Sequence, residues 1–131
     1  MEIAEKVKIL VVDDERLIAD SMSWVLNMEG FETCVVYSGE EAIAIAGPFR
    51  PDALICDILM TGISGVETAA RIYEKFPACK VLLISGHVSI ADLAQATPGR
   101  AYQFDFLSKP VHPRVLIEKL RSVLQTSTEH V

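Results

Sequence analysis

The chain has 131 residues, a formal net charge of −6, and a composition in which half of the residues are hydrophobic. This length suits one domain with a substantial core, and an acidic chain without a basic cluster argues against direct nucleic-acid binding. The three cysteines, Cys34, Cys56 and Cys79, lie in or beside apolar runs, as reduced thiols of a cytosolic protein do. The sequence has no apolar run near the ~18 residues of a membrane span, and its N-terminus lacks a signal peptide's apolar core. We therefore expect one cytoplasmic domain.

Short apolar runs alternate with segments of helical spacing along the chain. The runs predict strands at residues 8–12, 31–37, 53–57, 80–84 and within 101–108. Five helices are predicted. The first runs from about residue 17 to a C-cap at Gly30, the second is short and ends at Ala46, and the third runs from about Val66 to Phe76. A weak fourth helix follows Ser89, and the last begins at Pro113. This alternation is typical of an α/β fold with a parallel sheet, helices on both faces and right-handed crossovers.

Local signals refine the predicted helices and the domain limits. Asp14 is a plausible N-cap of the first helix, and Ser38 with Glu41 and Ser64 with Glu67 resemble capping boxes. Gly47-Pro48 is expected to break the second helix. The domain is predicted over residues 1–125, followed by a disordered tail at 126–131.

Polar side chains follow four of the predicted strands. Asp13-Asp14 end the first strand, Asp57 the third, Ser85 the fourth and Lys109 the fifth. All of these ends lie on one edge of a parallel sheet, where open α/β sheets bind their ligands. Three carboxylates within a few ångströms repel by several kcal/mol at an effective dielectric of about 20, and they therefore need a cation. Oxygen ligands with open water positions suit Mg²⁺.

This set of groups is suited to phosphoryl transfer. Asp57 is the candidate nucleophile, because it alone ends a central strand without a neighbouring acid. The metal and Lys109 would neutralise the oxygens of the phosphoryl group in transit, and the hydroxyl of Ser85 would donate a hydrogen bond to one of them.

From about Val7 to Leu124, the chain resembles a receiver domain of a two-component response regulator. The matching residues are Asp13-Asp14, Asp57, Met60, Gly65, Ser85 and Lys109-Pro110. The resemblance implies a flavodoxin-like doubly wound (βα)5 fold with a sheet of order 2-1-3-4-5. It also implies that Asp57 is phosphorylated by a histidine kinase's phosphohistidine or by small phosphodonors. Magnesium would be held by Asp14 and Asp57, by Asp13 through water, and by the main-chain carbonyl of Leu59. The Lys109-Pro110 bond would be cis.

The resemblance further implies how such a domain signals. Phe106 takes the place of an aromatic residue that moves when the hydroxyl of Ser85 contacts the phosphoryl group, although a plain core phenylalanine is an alternative reading. Without a hydroxyl of its own, Phe106 should give a weaker inactive-state preference. The expected partners are a sensor histidine kinase or phosphotransfer protein and a downstream effector protein or domain. A homodimer could form through the predicted fourth helix, the fifth strand and the final helix. Because the sequence has no effector domain after the final helix, we expect a standalone receiver or a fragment.

Several positions depart from the family pattern. Thr61 replaces the usual proline after Met60, and Gly86 replaces an alanine after Ser85, so both loops are expected to be looser. His87 could order a water near the phosphoryl group, but an exposed histidine is the simpler interpretation. The fourth helix has a thin apolar face and is expected to be short, displaced or mobile.

Three other functions remain open at this point. A haloacid-dehalogenase-type hydrolase uses similar groups but needs Asp-x-Asp after the first strand, whereas this chain has Asp13-Asp14-Glu15. A pseudo-receiver would keep the fold as an interaction module without phosphorylation, and the complete acidic set argues against it. A flavodoxin-like flavin carrier would need a phosphate cradle that the loops lack. We expect a signalling domain that catalyses only its own phosphorylation and dephosphorylation.

Overall fold

The computed structural model describes residues 5–86 and 104–125. Its five strands are β1 (Lys8–Val12), β2 (Glu32–Val36), β3 (Ala53–Asp57), β4 (Lys80–Ser85) and β5 (Asp105–Ser108). The described residues form four helices, which are α1 (Arg16–Met28), α2 (Gly39–Phe49), α3 (Gly65–Lys75) and α4 (Pro113–Gln125). The α4 helix is the final helix of the sequence prediction.

The strands form one parallel sheet of order β2-β1-β3-β4-β5, which confirms the predicted flavodoxin-like α/β fold. Side chains alternate between its two faces, as the pleat of a strand requires. On β1, Leu10 packs into the core under α2 and α3, whereas Ile9 packs into the core under α1 and α4. Because all five residues of β3 are buried, this strand is the centre of the molecule.

Side chains cap two of the helices as predicted. The hydroxyl of Ser38 accepts a hydrogen bond from the amide of Glu41 at the start of α2. The hydroxyl of Ser64 accepts one from the amide of Glu67 at the start of α3. The Glu41 carboxylate accepts from the amide of Tyr37, one residue before the N-cap, so its return bond differs from that of a standard capping box.

Two local predictions were wrong. The α2 helix does not break at Gly47-Pro48 but continues to Phe49 and ends at Arg50, whose φ is 57°. Pro48 lies in the last turn, where its missing N–H removes one helical bond, while the amide of Arg50 still bonds to the carbonyl of Ala46. The N-cap of α1 is Glu15 rather than Asp14, because Asp14 turns its carboxylate toward a neighbouring loop.

Other predictions fall outside the described residues. These include the fourth predicted helix, His87, the segment 97–103 and the tail at 126–131. The longest helices in residues 5–86 and 104–125 have 13 residues, and we find no candidate membrane span among them.

Candidate functional site

The site is built around Asp57, the last residue of β3. Its side chain is almost fully buried, because β1 and β4 flank this strand and α3 begins close to its end. Gly65 makes that close approach possible, since a Cβ atom there would overlap the carbonyl oxygen of Asp57. The Asp57 carboxylate therefore has access to solvent only at the carboxyl edge of the sheet.

Lys109 forms an ion pair with this carboxylate. Its Nζ atom lies 3.1 Å from Oδ1 of Asp57, 3.5 Å from Oδ2 of Asp13 and 3.5 Å from Oε1 of Glu15. The backbone positions the lysine, because its amide donates a 2.8 Å hydrogen bond to the carbonyl of Ser85, and the Lys109-Pro110 bond is cis as expected. Burial lowers the pKa of Lys109, but the hydrogen bond and charge of Asp57 outweigh burial, so this pKa is raised overall.

Asp13 and Asp57 form the electrostatically unfavourable part of the site. Oδ1 of Asp13 accepts a 2.9 Å hydrogen bond from the amide of Glu15, whereas its buried Oδ2 accepts none among the described residues. Burial raises the pKa of Asp13 more than this hydrogen bond and Lys109 lower it. Burial and then the charge of Asp13 likewise raise the pKa of Asp57. Both carboxylates thus retain a need for positive charge that Lys109 meets only in part.

Asp14 is held differently. Its Oδ2 accepts two hydrogen bonds from Thr61, one from the amide and one from the hydroxyl, each 2.9 Å long. The hydrogen bond from the Thr61 amide has the largest effect on the pKa of Asp14, and together the two hydrogen bonds lower it.

Together the three aspartates form a candidate metal centre. Asp13, Asp14 and Asp57 can each offer a carboxylate oxygen such that all three atoms lie within 4.8 Å of one another. A cavity of about 260 Å³ opens beside them, lined by Asp14, Glu15, Asp57, Leu59, Gly86 and Lys109. Hard oxygen ligands, an unsatisfied buried carboxylate oxygen and room for water fit a divalent cation such as Mg²⁺.

Comparison with known proteins decides the family. The model of the response regulator receiver domain matches residues 9–121. The chain belongs to this family. A receiver domain is a signalling domain of two-component systems, which confirms the expected class.

Individual relatives agree. The chain is 26% identical over 122 residues to the DNA-binding response regulator MtrA of Mycobacterium tuberculosis, covering 93% of this chain and 52% of MtrA. It is 30% identical over 122 residues to the probable transcriptional regulatory protein TcrX of the same organism, covering 92% of this chain and 51% of TcrX. The chain thus spans about half the length of these curated relatives.

Solved structures show the same fold. A CheY-like receiver domain protein from Methanospirillum hungatei superposes with a TM-score of 0.81 at 26% identity, covering 92% of this chain and 94% of that one. NtrX from Brucella abortus, solved with ADP, gives a TM-score of 0.82 at 33% identity, covering 94% of this chain and 28% of NtrX.

The remaining predicted residues of the receiver domain lie near this edge or behind it. Ser85 is buried at the end of β4, and Leu59 is half exposed on the cavity wall. Phe106 lies on β5 beside Leu83 and is partly buried against the core under α2 and α3. Their functional roles remain predictions.

Sequence reasoning missed two residues at the edge of this site. Glu15 pairs with Lys109, and a signal for it was present, because Glu15 directly follows Asp13-Asp14. The sequence pattern marks Thr61 only as the absence of a proline, whereas in the structure it donates two hydrogen bonds, and the one from its amide is a bond that a proline could not donate.

Proposed function

We propose that the chain is a phosphoacceptor, in which Asp57 receives a phosphoryl group from the phosphohistidine of a sensor histidine kinase or phosphotransfer protein. Small phosphodonors would serve as well. The observation that carries this proposal is the position of Asp57, buried at a strand end with Lys109 3.1 Å from its Oδ1 and two further carboxylates nearby. One accessible carboxylate beside a cation is what nucleophilic attack on phosphorus requires.

In the proposed reaction, a carboxylate oxygen of Asp57 forms a bond to phosphorus as the bond from phosphorus to the donor nitrogen breaks. The electron pair of that bond stays on the donor imidazole. Lys109 stabilises the negative charge on the transferring group, since its Nζ already lies within contact of Asp57. The hydroxyl of Ser85, at the end of the adjacent strand, would donate to a phosphoryl oxygen after transfer.

Magnesium would be held by Asp14 and Asp57, by Asp13 through water, and by the main-chain carbonyl of Leu59. When bound, it supplies positive charge that offsets the repulsion between nucleophile and phosphoryl oxygens. The unsatisfied Oδ2 of Asp13 and the raised pKa of Asp57 support this assignment, because both indicate carboxylates short of positive charge.

The output would be a conformational change read by an effector protein or domain. Phe106 is the proposed switch residue, because it lies on β5 one strand away from Ser85 and is only partly buried. A homodimer through the predicted fourth helix, β5 and α4 would be a second output of this kind. The names of MtrA and TcrX describe DNA-binding or transcriptional regulators, which supports an effector that acts on gene expression.

Incubation with acetyl phosphate and Mg²⁺ tests the proposal. Intact mass spectrometry should show a gain of one phosphoryl group, which hydroxylamine removes, as expected for an acyl phosphate. The gain should disappear in Asp57→Asn and when EDTA replaces Mg²⁺. Asp105→Asn is the matched control, because it removes an aspartate that pairs with Lys119 outside the site, and it should be phosphorylated normally.

An unmodified wild-type chain would contradict the proposal and favour a pseudo-receiver. Continuous phosphate release without a stable adduct would instead favour a phosphohydrolase.

A further inference from the structure

Thr61 links two loops that are far apart in the sequence. It lies 47 residues from Asp14, yet its amide and its hydroxyl both donate 2.9 Å hydrogen bonds to the same oxygen, Oδ2. A carboxylate held by two donors on one oxygen has little freedom to rotate about its terminal torsion. Its other oxygen, Oδ1, therefore has a defined direction.

The loop that carries Thr61 is anchored on its other side as well. Oε2 of Glu40, on α2, accepts a 3.3 Å hydrogen bond from the amide of Ile63. Gly62, between the two anchors, has φ of 83°, a conformation that glycine adopts readily. Thr61 is thus attached to a loop fastened at neighbouring residues, so it can hold Asp14 rather than simply follow it.

We propose that Thr61 is a positioning residue for divalent cations, whose hydroxyl and amide hold Oδ2 of Asp14 and leave Oδ1 to contact the metal. This rests on the proposed function, since it concerns the same metal centre. Groups that orient a metal ligand from behind typically change metal affinity by about 10–100-fold when removed. Because Asp14 is partly exposed and the backbone bond survives in a side-chain variant, we expect an effect at or below the lower end of that range.

Calorimetric titration of the metal-free chain with Mg²⁺ tests the proposal without any phosphodonor. Thr61→Val removes the hydroxyl, keeps the shape and the amide, and should raise the Kd for Mg²⁺ about 3–10-fold. Thr61→Ser restores the hydroxyl and should bind within about 2-fold of wild type. Thr61→Pro removes both donors and should bind most weakly.

Thr33→Val is the matched control. The hydroxyl of Thr33 also donates to a side chain, that of Asn27, but it lies at the α1–β2 contact, away from the aspartates. Its Kd for Mg²⁺ should equal that of wild type. Thermal unfolding of every variant without metal separates a loss of affinity from a loss of folding.

Two results would overturn the proposal. An unchanged Kd in Thr61→Val would mean that the hydroxyl does not position Asp14, and a lower Kd would mean that Thr61 competes with the metal for Oδ2. The proposed function would survive either result if the wild-type chain still becomes phosphorylated on Asp57. Conversely, a wild-type chain that binds Mg²⁺ with the expected ranking of variants but is never phosphorylated would overturn only the proposed function.

Discussion

Asp13 and Asp14 are neighbours in the sequence, yet their carboxyl groups lie in opposite environments. Asp13 is fully buried, lies close to Asp57 and has a raised pKa, with burial as the main cause. Asp14 is partly exposed, is held by Thr61 and has a lowered pKa, with the Thr61 amide as the main cause. In the folded state, the environment of Asp13 disfavours its negative charge, whereas the environment of Asp14 favours its negative charge.

This difference indicates a division of tasks within the candidate metal centre. The buried pair, Asp13 and Asp57, carries negative charge that Lys109 balances only in part. This remaining negative charge would attract a cation. The outer group, Asp14 with Thr61, supplies geometry, since its hydrogen bonds are already made before any metal arrives. Removing the charge of Asp13 and removing the charge of Asp14 should therefore change the free energy of unfolding with opposite signs.

The largest expected effect comes from removing the cation of the buried pair. Lys109→Met removes the cation that pairs with the buried carboxylates of Asp13 and Asp57. Without metal at neutral pH, we expect the free energy of unfolding to fall by about 2 kcal/mol, less than for a fully buried pair because the lysine is partly exposed. Urea denaturation measures this loss, and added Mg²⁺ should recover part of it.

Lys119→Met is the control for that experiment. Lys119 pairs with Asp105 at 3.4 Å, but both side chains are more than one-third exposed. An exposed pair of this kind contributes about 0–1 kcal/mol. If Lys109→Met lowered the free energy of unfolding no more than Lys119→Met does, the claim that Lys109 stabilises the buried carboxylates of Asp13 and Asp57 would be wrong.

A smaller effect of opposite sign is expected from Asp13→Asn. Asparagine keeps the hydrogen bond from the amide of Glu15 and removes the charge. Without metal at neutral pH, the free energy of unfolding should rise by an amount on the order of 1 kcal/mol, after the lost attraction to Lys109 is set against the relieved repulsion. With saturating Mg²⁺, the difference in the free energy of unfolding between Asp13→Asn and wild type should narrow or reverse, because metal binding should stabilise the wild type more.

The pH dependence of this variant has a defined sign. The pKa of Asp13 is raised in the folded state above its ordinary value of 3.8, so the folded wild type takes up this proton first as the pH falls. The charged form of Asp13 lowers the free energy of unfolding by its full amount above the folded pKa. This loss disappears as the pH falls from that pKa to 3.8. The advantage of Asp13→Asn should therefore shrink on acidification, and an advantage that grew would contradict the assignment.

The sequence predicted the buried part of the site better than the outer part, and the reason lies in topology. Apolar runs ending at Asp13, Asp57 and Ser85 indicate parallel strands, and parallel strands bring their carboxyl ends to one edge. The β3 strand was predicted with its observed limits, since it is apolar on both faces and bounded by Asp52 and Asp57.

The outer part depends on contacts that periodicity does not encode. The bonds from Thr61 to Asp14 join two loops, and loop conformation follows from tertiary anchors such as Glu40 rather than from hydrophobic pattern. The end of α2 was mispredicted for a related reason. Pro48 is a strong breaker in the middle of a helix but is accommodated in a last turn that packing already supports.

The smallest expected effect completes the comparison. Asp14→Asn removes the charge from a carboxylate whose pKa is lowered by the Thr61 bonds, so the folded state loses a favourable interaction and the metal-free chain should be destabilised by a few tenths of a kcal/mol. The stability that the lowered pKa contributes is present above the ordinary value of 3.8 and is lost only as the pH falls through the folded pKa below it. The difference between Asp14→Asn and wild type should thus stay constant from neutral to moderately acidic pH, where that of Asp13→Asn shrinks. Urea denaturation of both variants across this pH range measures their free energies of unfolding relative to wild type. If both variants changed stability with the same sign, the proposed difference between Asp13, destabilised by its charge, and Asp14, positioned by Thr61, would be wrong.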